Sequence, residues 1–165
     1  MRFLGFAVVT GAAIVLGACG GGDKTAADSA APAVDTAAAA PAAAPTAGAM
    51  NPITGTTHEV KMIGDGQGYR FDPAEITAKA GDGIKFVFVS GGPHNVSFDP
   101  ATVPAPFKAI MMGNMPEQAG ELSGKMLLNA GDSYTISLGG VAPGTYDFNC
   151  TPHLAMNMKG KIIVQ

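Results

Sequence analysis

From residue 56 to the end, the sequence consists of short segments rich in Val, Ile, Phe and Tyr, separated by Gly, Pro and Asp. Two of these segments place apolar residues at every second position. Those residues are Ile84, Phe86 and Phe88 in "IKFVFVS" and Tyr134, Ile136 and Leu138 in "SYTISL". Alternation of this kind is typical of a β-strand with one buried face. Several such strands at this spacing predict an all-β domain over 56–165, a Greek-key β-sandwich of about seven or eight strands.

The strands are predicted within six segments. They are "HEVKMIG", "EITAKAGDGIKFVFVS", "HNVSF", "KMLLNAGDSYTISL", "GTYDFNC" and "GKIIVQ". Residues 101–124 break the pattern, because they contain Pro, Gly and Met without alternation. We expect a long connection there that is partly helical, with a helical turn near residues 107–112.

The first 18 residues are predicted to be a signal for export. Arg2 is followed by an apolar run over 3–16, which is short for a membrane span of about 20 residues. The stretch "LGAC" at 16–19 resembles the lipobox of bacterial lipoproteins, in which the cysteine is lipidated and becomes the new N-terminus. This resemblance implies a lipid anchor on Cys19 and a protein on the periplasmic side of the cell envelope. A plain signal peptide that ends near a cysteine is the alternative.

Residues 19–55 are predicted to be a disordered tether behind the lipidated cysteine. They are mostly Ala, Pro, Thr and Gly, so prolines interrupt any helix and little apolar surface is available to offset the entropy of ordering. A flexible chain of about 35 residues has an end-to-end distance of roughly 30–35 Å. Such a tether would keep a monomeric domain near a membrane.

Charge and cysteine spacing exclude several functions. The net charge is −3, whereas a nucleic-acid-binding domain would need a basic face. Neither C-x-x-C nor C-x-x-C-H occurs, which argues against a thioredoxin-like motif and covalently attached haem. If Cys19 is lipidated, Cys150 is the only thiol of the mature domain, and metal ligation is a good reason for an unpaired thiol in an exported protein.

The stretch "CTPHLAMNM" contains a thiol, an imidazole and two thioethers within residues 150–158. A second histidine, His94, lies in "GGPHNVSFD". Two histidines and a cysteine with a weakly held axial methionine form the ligand set of a blue-copper electron-transfer site. Soft sulfur donors favour Cu(I) and imidazole also suits Cu(II), so the mixed set tolerates both oxidation states.

The segments "GGPHNVSFD", "GTYDFNCTPH" and "MKGKIIVQ" resemble the cupredoxins, particularly the plastocyanin and amicyanin group. The resemblance covers most of residues 56–165. It implies that His94, Cys150, His153 and a methionine bind one copper ion. It also implies that Asn95 braces the ligand loop, with Thr151 as its partner, and that Pro93 lies beside the site.

Two methionines compete for the axial position. In the family, the axial methionine directly precedes an x-Gly-Lys run and a strand. Met158 precedes Lys159-Gly160-Lys161 and matches this pattern. Met156 would instead give the shorter, amicyanin-like spacing from the histidine. We favour Met158 as the ligand.

Four protein ligands leave no open position for a substrate, unlike a catalytic metal site. We therefore expect a one-electron carrier and not an enzyme. Electrons would pass through the edge of His153, and a redox protein such as a cytochrome, an oxidase or a reductase would dock on Leu154, Ala155 and Met156. Plant plastocyanins carry a tyrosine before the cysteine, but this chain has Asn149 there, so the resemblance does not carry that docking route over to this chain.

Two other functions remain open on the sequence alone. Met111, Met112 and Met115 cluster in the long connection, and thioethers bind Cu(I), so the chain could deliver or store copper. Filling of the core is the simpler role for these methionines. A metal-free binding domain is the other possibility. His58 matches no motif, and we expect it to point to solvent without a functional role.

Overall fold

The computed structural model describes residues 49–165. The predicted signal peptide (1–18), the lipidation of Cys19 and most of the tether (19–55) therefore lie outside the described residues. Within 49–165, no helix has both the length and the apolar character needed to cross a membrane.

The described part of the chain contains seven strands and one α-helix. The strands are β1 (Thr57–Asp65), β2 (Gly68–Asp72), β3 (Glu75–Ala78), β4 (Gly83–Phe88), β5 (Ser133–Ser137), β6 (Gly144–Asn149) and β7 (Lys159–Val164), and the helix is α1 (Ala105–Asn114). One sheet has the order β2-β1-β4-β5 and the other has the order β3-β7-β6. The pairs β1–β4 and β3–β7 are parallel and the other pairs are antiparallel. The prediction of an all-β sandwich is confirmed.

Three phenylalanine rings join the two sheets at the centre of the core. Phe71 and Phe86 belong to the four-stranded sheet, and Phe148 belongs to the three-stranded one. The ring centroid of Phe148 lies 4.7 Å from that of Phe71 and 5.3 Å from that of Phe86, both edge to face. Burying one such ring contributes roughly 1.5–3 kcal/mol, so this cluster fixes how the sheets stack.

Three elements differ from the sequence prediction. Strand β2 was not predicted, because its five residues follow a Gly-rich turn and precede Pro73. The segment "HNVSF" forms isolated bridges and no strand: Ser97 bridges both Ser123 and Asn149. The segment thus contacts the long connection on one side and β6 on the other through single bridges. Helix α1 has ten residues, longer than the single turn expected near 107–112.

Residues 51–55, at the end of the predicted tether, are hydrogen-bonded to the domain. The backbone N–H of Asn51 donates to Oδ1 of Asn114 (3.1 Å), and its side-chain amide donates to the carbonyl of Gly139 (2.9 Å). The N–H of Gly55 donates to the carbonyl of Gly81 (3.0 Å). These contacts lie at the end of the sandwich where β4 begins. Residues 51–55, which were predicted to belong to the tether, are therefore part of the folded domain.

His58 does not simply point to solvent as expected. Its Nε2 lies 2.8 Å from Oδ2 of Asp82, and its side chain is 30% exposed. The carboxylate of Asp82 also accepts the backbone N–H groups of Thr56 (2.8 Å) and Lys79 (2.9 Å). The N–H of Lys79, followed by the His58 ring, holds the pKa of Asp82 below its usual range. Asp82 thus fastens the start of the domain to the β3–β4 turn.

Candidate metal centre

The β6–β7 hairpin brings Cys150 and Met158 together. Cys150 directly follows β6, and Met158 directly precedes the antiparallel strand β7. The N–H of Cys150 donates to the carbonyl of Met158 (3.1 Å). Between them, a 3₁₀ turn over Thr151–Met156 carries His153, and Asn157 closes the loop in the left-handed conformation (φ 60°). Asparagine tolerates this conformation better than most residues.

His94 reaches the loop from the segment that follows β4. Its backbone pairs with Leu127 in both directions, at 3.1 and 2.7 Å. Its Nε2 lies 2.8 Å from the carbonyl oxygen of Ser90. Because a carbonyl oxygen can only accept, Nε2 of His94 must carry the proton, which leaves the lone pair of Nδ1 free to bind a metal.

The three predicted ligands form one buried cluster. Sγ of Cys150 lies 3.5 Å from Nδ1 of His94 and 3.4 Å from Nδ1 of His153. One ligand atom from each of the three residues lies within 4.8 Å of the others. The exposed fractions are 0% for His94, 0% for Cys150 and 5% for His153. The cluster is therefore both compact and shielded from water.

Burial sets the protonation of these side chains. It lowers the pKa of His94, and it lowers the pKa of His153 with a smaller contribution from neighbouring His94. It raises the pKa of the Cys150 thiol, although backbone hydrogen bonding partly offsets this. Burial therefore favours the neutral form of both imidazoles, which is the form that binds metal. The thiol, in contrast, must release its proton when a metal binds.

The two candidate axial methionines lie in different surroundings. Met158 is fully buried beside the cluster, whereas Met156 is 53% exposed on the 3₁₀ turn. The centre thus groups His94, Cys150, His153 and Met158. Two imidazole nitrogens, one thiolate and one thioether make a donor set that suits copper in both of its common oxidation states.

Residues 58–165 match the family model described as "Copper binding proteins, plastocyanin/azurin family". The chain belongs to the plastocyanin/azurin family. It is 36% identical to plastocyanin from Prochlorothrix hollandica over 114 residues, which is 69% of this chain and 77% of that protein. It is 38% identical to plastocyanin from Rumex obtusifolius over 65% of this chain and 99% of that protein. The cofactor of this plastocyanin/azurin-family chain is copper.

A solved structure agrees with the fold. The chain matches oxidised plastocyanin from Dryopteris crassirhizoma with a TM-score of 0.51 and 33% sequence identity, over 66% of this chain and 100% of that one. The matched share corresponds in size to the sandwich.

Asn95 connects the two chain segments that supply the ligands of this plastocyanin-like centre. Its Oδ1 accepts the backbone N–H of Thr151 (2.8 Å). Its amide donates to Oγ1 of Thr151 (3.2 Å) and to Oγ of Ser123 (3.0 Å). Asn95 is only 3% exposed. Asn95 directly follows His94, and Thr151 directly follows Cys150. The bonds between Asn95 and Thr151 therefore join the two ligand segments.

The residues predicted to border the site are at the surface. Pro93, directly before His94, is exposed. Ala155 is exposed, and the exposed fractions of Leu154 and Met156 are 45% and 53%. The latter three follow His153 on the same turn. An apolar surface therefore lies next to the ligand that is nearest to solvent.

Tyr69 also belongs to the site, although no motif in the sequence marked it as a site residue. Its ring lies on the ring of His153, with a centroid distance of 3.8 Å and an angle of 18° between the planes. Tyr69 belongs to β2, the strand that was not predicted. An aromatic residue next to a Gly-rich turn was the only signal in the sequence, and it carries no information about a histidine far along the chain.

The methionines of the long connection do not form one surface. Met111 and Met115 are in the core, with exposed fractions of 0% and 2%, whereas Met112 is 46% exposed. Helix α1 and its end thus use two of the three residues to fill the interior. This arrangement does not favour a second Cu(I) site there, and copper delivery or storage is accordingly not favoured.

Proposed function

We propose that this chain is a one-electron carrier. The observation that supports the proposal most directly is the buried cluster of His94, Cys150 and His153, whose ligand atoms lie within 4.8 Å of one another. Copper bound there supplies the redox chemistry by alternating between Cu(II) and Cu(I). No enzymatic reaction is part of the proposal, since four protein ligands leave no position for a substrate.

The protein residues contribute a fixed geometry. His94 is held by the carbonyl of Ser90 through its second nitrogen, and the ligand loop is held by Asn95. Partners of this kind orient the ligands of a metal and tune its properties. A rigid, largely dry site changes little between oxidation states, so little rearrangement would accompany electron transfer.

Electrons would enter and leave through His153. It lies beside the exposed side chains of Leu154 and Met156, with Ala155 between them. A small apolar surface suits brief encounters with a redox protein, since such complexes use small interfaces. We propose a cytochrome, an oxidase or a reductase as the partner.

We also propose that the protein is exported and held at a membrane by a lipid on Cys19. The lipobox-like stretch "LGAC" and the Ala/Pro-rich segment after it support this proposal. Residues 51–55 join the domain where β4 begins, whereas His94 follows the other end of β4. A tether attached there would leave the copper end free to meet a partner.

The proposal is tested by loading the metal-free protein with Cu(II) and recording its visible and EPR spectra. We expect an intense blue colour that disappears on reduction and returns on oxidation. Cys150→Ser should abolish the colour, because the thiolate is the dominant covalent ligand. Met156→Leu, a change at an exposed residue of the same loop, serves as the control and should leave the colour intact. Colourless, weakly bound copper in the wild-type protein would refute the proposal.

A further inference from the structure

The stacked pair of Tyr69 and His153 is the most unusual contact of the site. Face-to-face stacking at 3.8 Å covers one side of the imidazole with a complete aromatic ring. The other contacts of His153 are different: its Nδ1 is directed at Sγ of Cys150 (3.4 Å), and the ring of His94 meets it edge-on at 4.8 Å. Tyr69 therefore covers one face of the His153 ring, while Cys150 and His94 contact it in other directions.

The backbone around Tyr69 is shaped to admit this ring. A Cβ atom on Gly64 would lie 2.6 Å from Cε1 of Tyr69 and 2.8 Å from the Cα of Gly91. These distances are shorter than any ordinary contact, so only glycine fits at position 64. The N–H of Gly64 also donates to the carbonyl of Ser90 (2.8 Å), the same carbonyl that fixes His94. The position of Tyr69 is thus linked to the positions of both histidines.

The hairpin that carries Tyr69 is held firmly. Both carboxylate oxygens of Asp65 accept from the guanidinium of Arg70, each at 2.9 Å. The N–H of Gln67 donates to the same carboxylate (2.9 Å). Tyr69 pairs with Gly64 in the register of the hairpin. A bidentate pair gives geometric definition to a turn, so the backbone position of Tyr69 is well defined.

We propose that Tyr69 is a positioning residue for His153: its ring holds the imidazole in the ligating orientation before the metal arrives. The backbone of His153 is hydrogen-bonded to Cys150 (3.1 Å) and to Met158 (3.2 Å), so the loop fixes where His153 lies. The residues on both sides of His153 are exposed, so the orientation of its ring depends on side-chain contacts. An aromatic pair of this kind changes an equilibrium constant by about two- to tenfold beyond its burial. Copper affinity should depend on Tyr69 to that extent, because a preorganised ligand loses less freedom on binding.

The inference concerns the same copper centre as the proposed function, but its test does not depend on electron exchange. The first measurement is the NMR spectrum of the metal-free protein. In the wild type, the carbon-bound ring protons of His153 should be shifted upfield by the ring current of Tyr69. Tyr69→Phe should preserve this shift and Tyr69→Leu should remove it.

The second measurement is Cu(I) affinity, determined by competition with a chromogenic chelator. Tyr69→Leu should weaken Cu(I) binding about two- to tenfold. Tyr69→Phe keeps the aromatic ring and should bind Cu(I) as tightly as the wild type. The matched control is Tyr146→Leu, which removes the stack of Tyr146 on Phe107 (4.0 Å, 15°), a pair that includes none of the ligands. That control should change neither Cu(I) affinity nor the signals of His153.

Three results would overturn the proposal. The first is a Tyr69→Leu protein with native His153 signals and native Cu(I) affinity. The second is a Tyr69→Phe protein that loses as much Cu(I) affinity and as much of the upfield shift of His153 as Tyr69→Leu does. The hydroxyl of Tyr69, and not its ring, would then position His153. If Tyr69→Leu does not fold, the wild type and Tyr69→Phe decide: unshifted His153 protons in both would refute the stack. Failure of the electron-carrier proposal would show in the redox behaviour and leave these readouts unaffected.

Discussion

Replacement of Asn95 by alanine tests whether the brace between the two ligand segments stabilises the domain as its geometry indicates. The change removes three hydrogen bonds, two with Thr151 (2.8 and 3.2 Å) and one with Ser123 (3.0 Å). Each bond contributes about 0.5–1.5 kcal/mol net. The expected loss in the free energy of unfolding is therefore roughly 1.5–4.5 kcal/mol.

Thr151→Val is the matched comparison, because it keeps the shape of the side chain and removes only the 3.2 Å bond from the Asn95 amide. Its expected loss is about 0.5–1.5 kcal/mol. Both variants and the wild type should be unfolded with urea in the metal-free state. If the unfolding free energy falls with urea concentration at the same slope in all three proteins, their urea midpoints can be compared directly.

The same variants should differ in copper affinity. Asn95 holds neighbours of His94 and Cys150 together, and loss of such a partner typically weakens metal binding about 10–100-fold. We expect Asn95→Ala to reach this range and Thr151→Val to stay below it. The reasoning would be refuted by an Asn95→Ala protein that loses no more unfolding free energy than Thr151→Val and binds copper like the wild type.

Three further predictions concern other parts of the chain. Met158→Leu should keep a coloured site and raise its reduction potential, measured by voltammetry, because the axial ligand tunes the potential. If Met156→Leu raised the potential and Met158→Leu did not, the axial assignment would be wrong. Asp82→Asn should lower the unfolding free energy by about 1–3 kcal/mol near pH 7. Since the pKa of Asp82 is depressed from 3.8, that difference should be present above pH 3.8 and disappear as the pH falls through the folded pKa; a difference that persists in acid unfolding would contradict this role. Cys19→Ser should move the protein from the membrane to the soluble fraction, and continued membrane association would count against the lipid anchor.

The ligand cluster was accessible from the sequence because its residues lie in motifs with fixed neighbours. Cys150, His153 and Met158 are on one hairpin loop, so their spacing and the strand after Met158 carry the information. His94 is distant in sequence but is marked by the Pro-His-Asn motif before an apolar segment. Strands with strict alternation, such as β4, were predictable for the same reason: the pattern is local.

What escaped prediction depends on contacts between distant segments. The stacking of Tyr69 on His153 requires β2 to pair at the edge of one sheet beside the loop of the other. The hydrogen bond of His58 with Asp82 and the docking of Asn51 on Asn114 also join parts of the chain that share no motif. Residues 51–55 were predicted to belong to the tether because the prediction rested on composition, and composition gives no indication of a few hydrogen bonds.

The ligands that meet in the metal centre are far apart along the chain. His94 and Cys150 are separated by 56 positions, and the described domain contains no disulfide, since Cys150 is free. A copper ion that stayed on both residues during unfolding would close a loop of this length and restrict the unfolded chain by about 4 kcal/mol in the loop-entropy model. The metal would then act as a cross-link as well as a redox centre. A chelator would affect this domain as a reducing agent affects a disulfide-stabilised one, and added copper would reverse the effect without an oxidant.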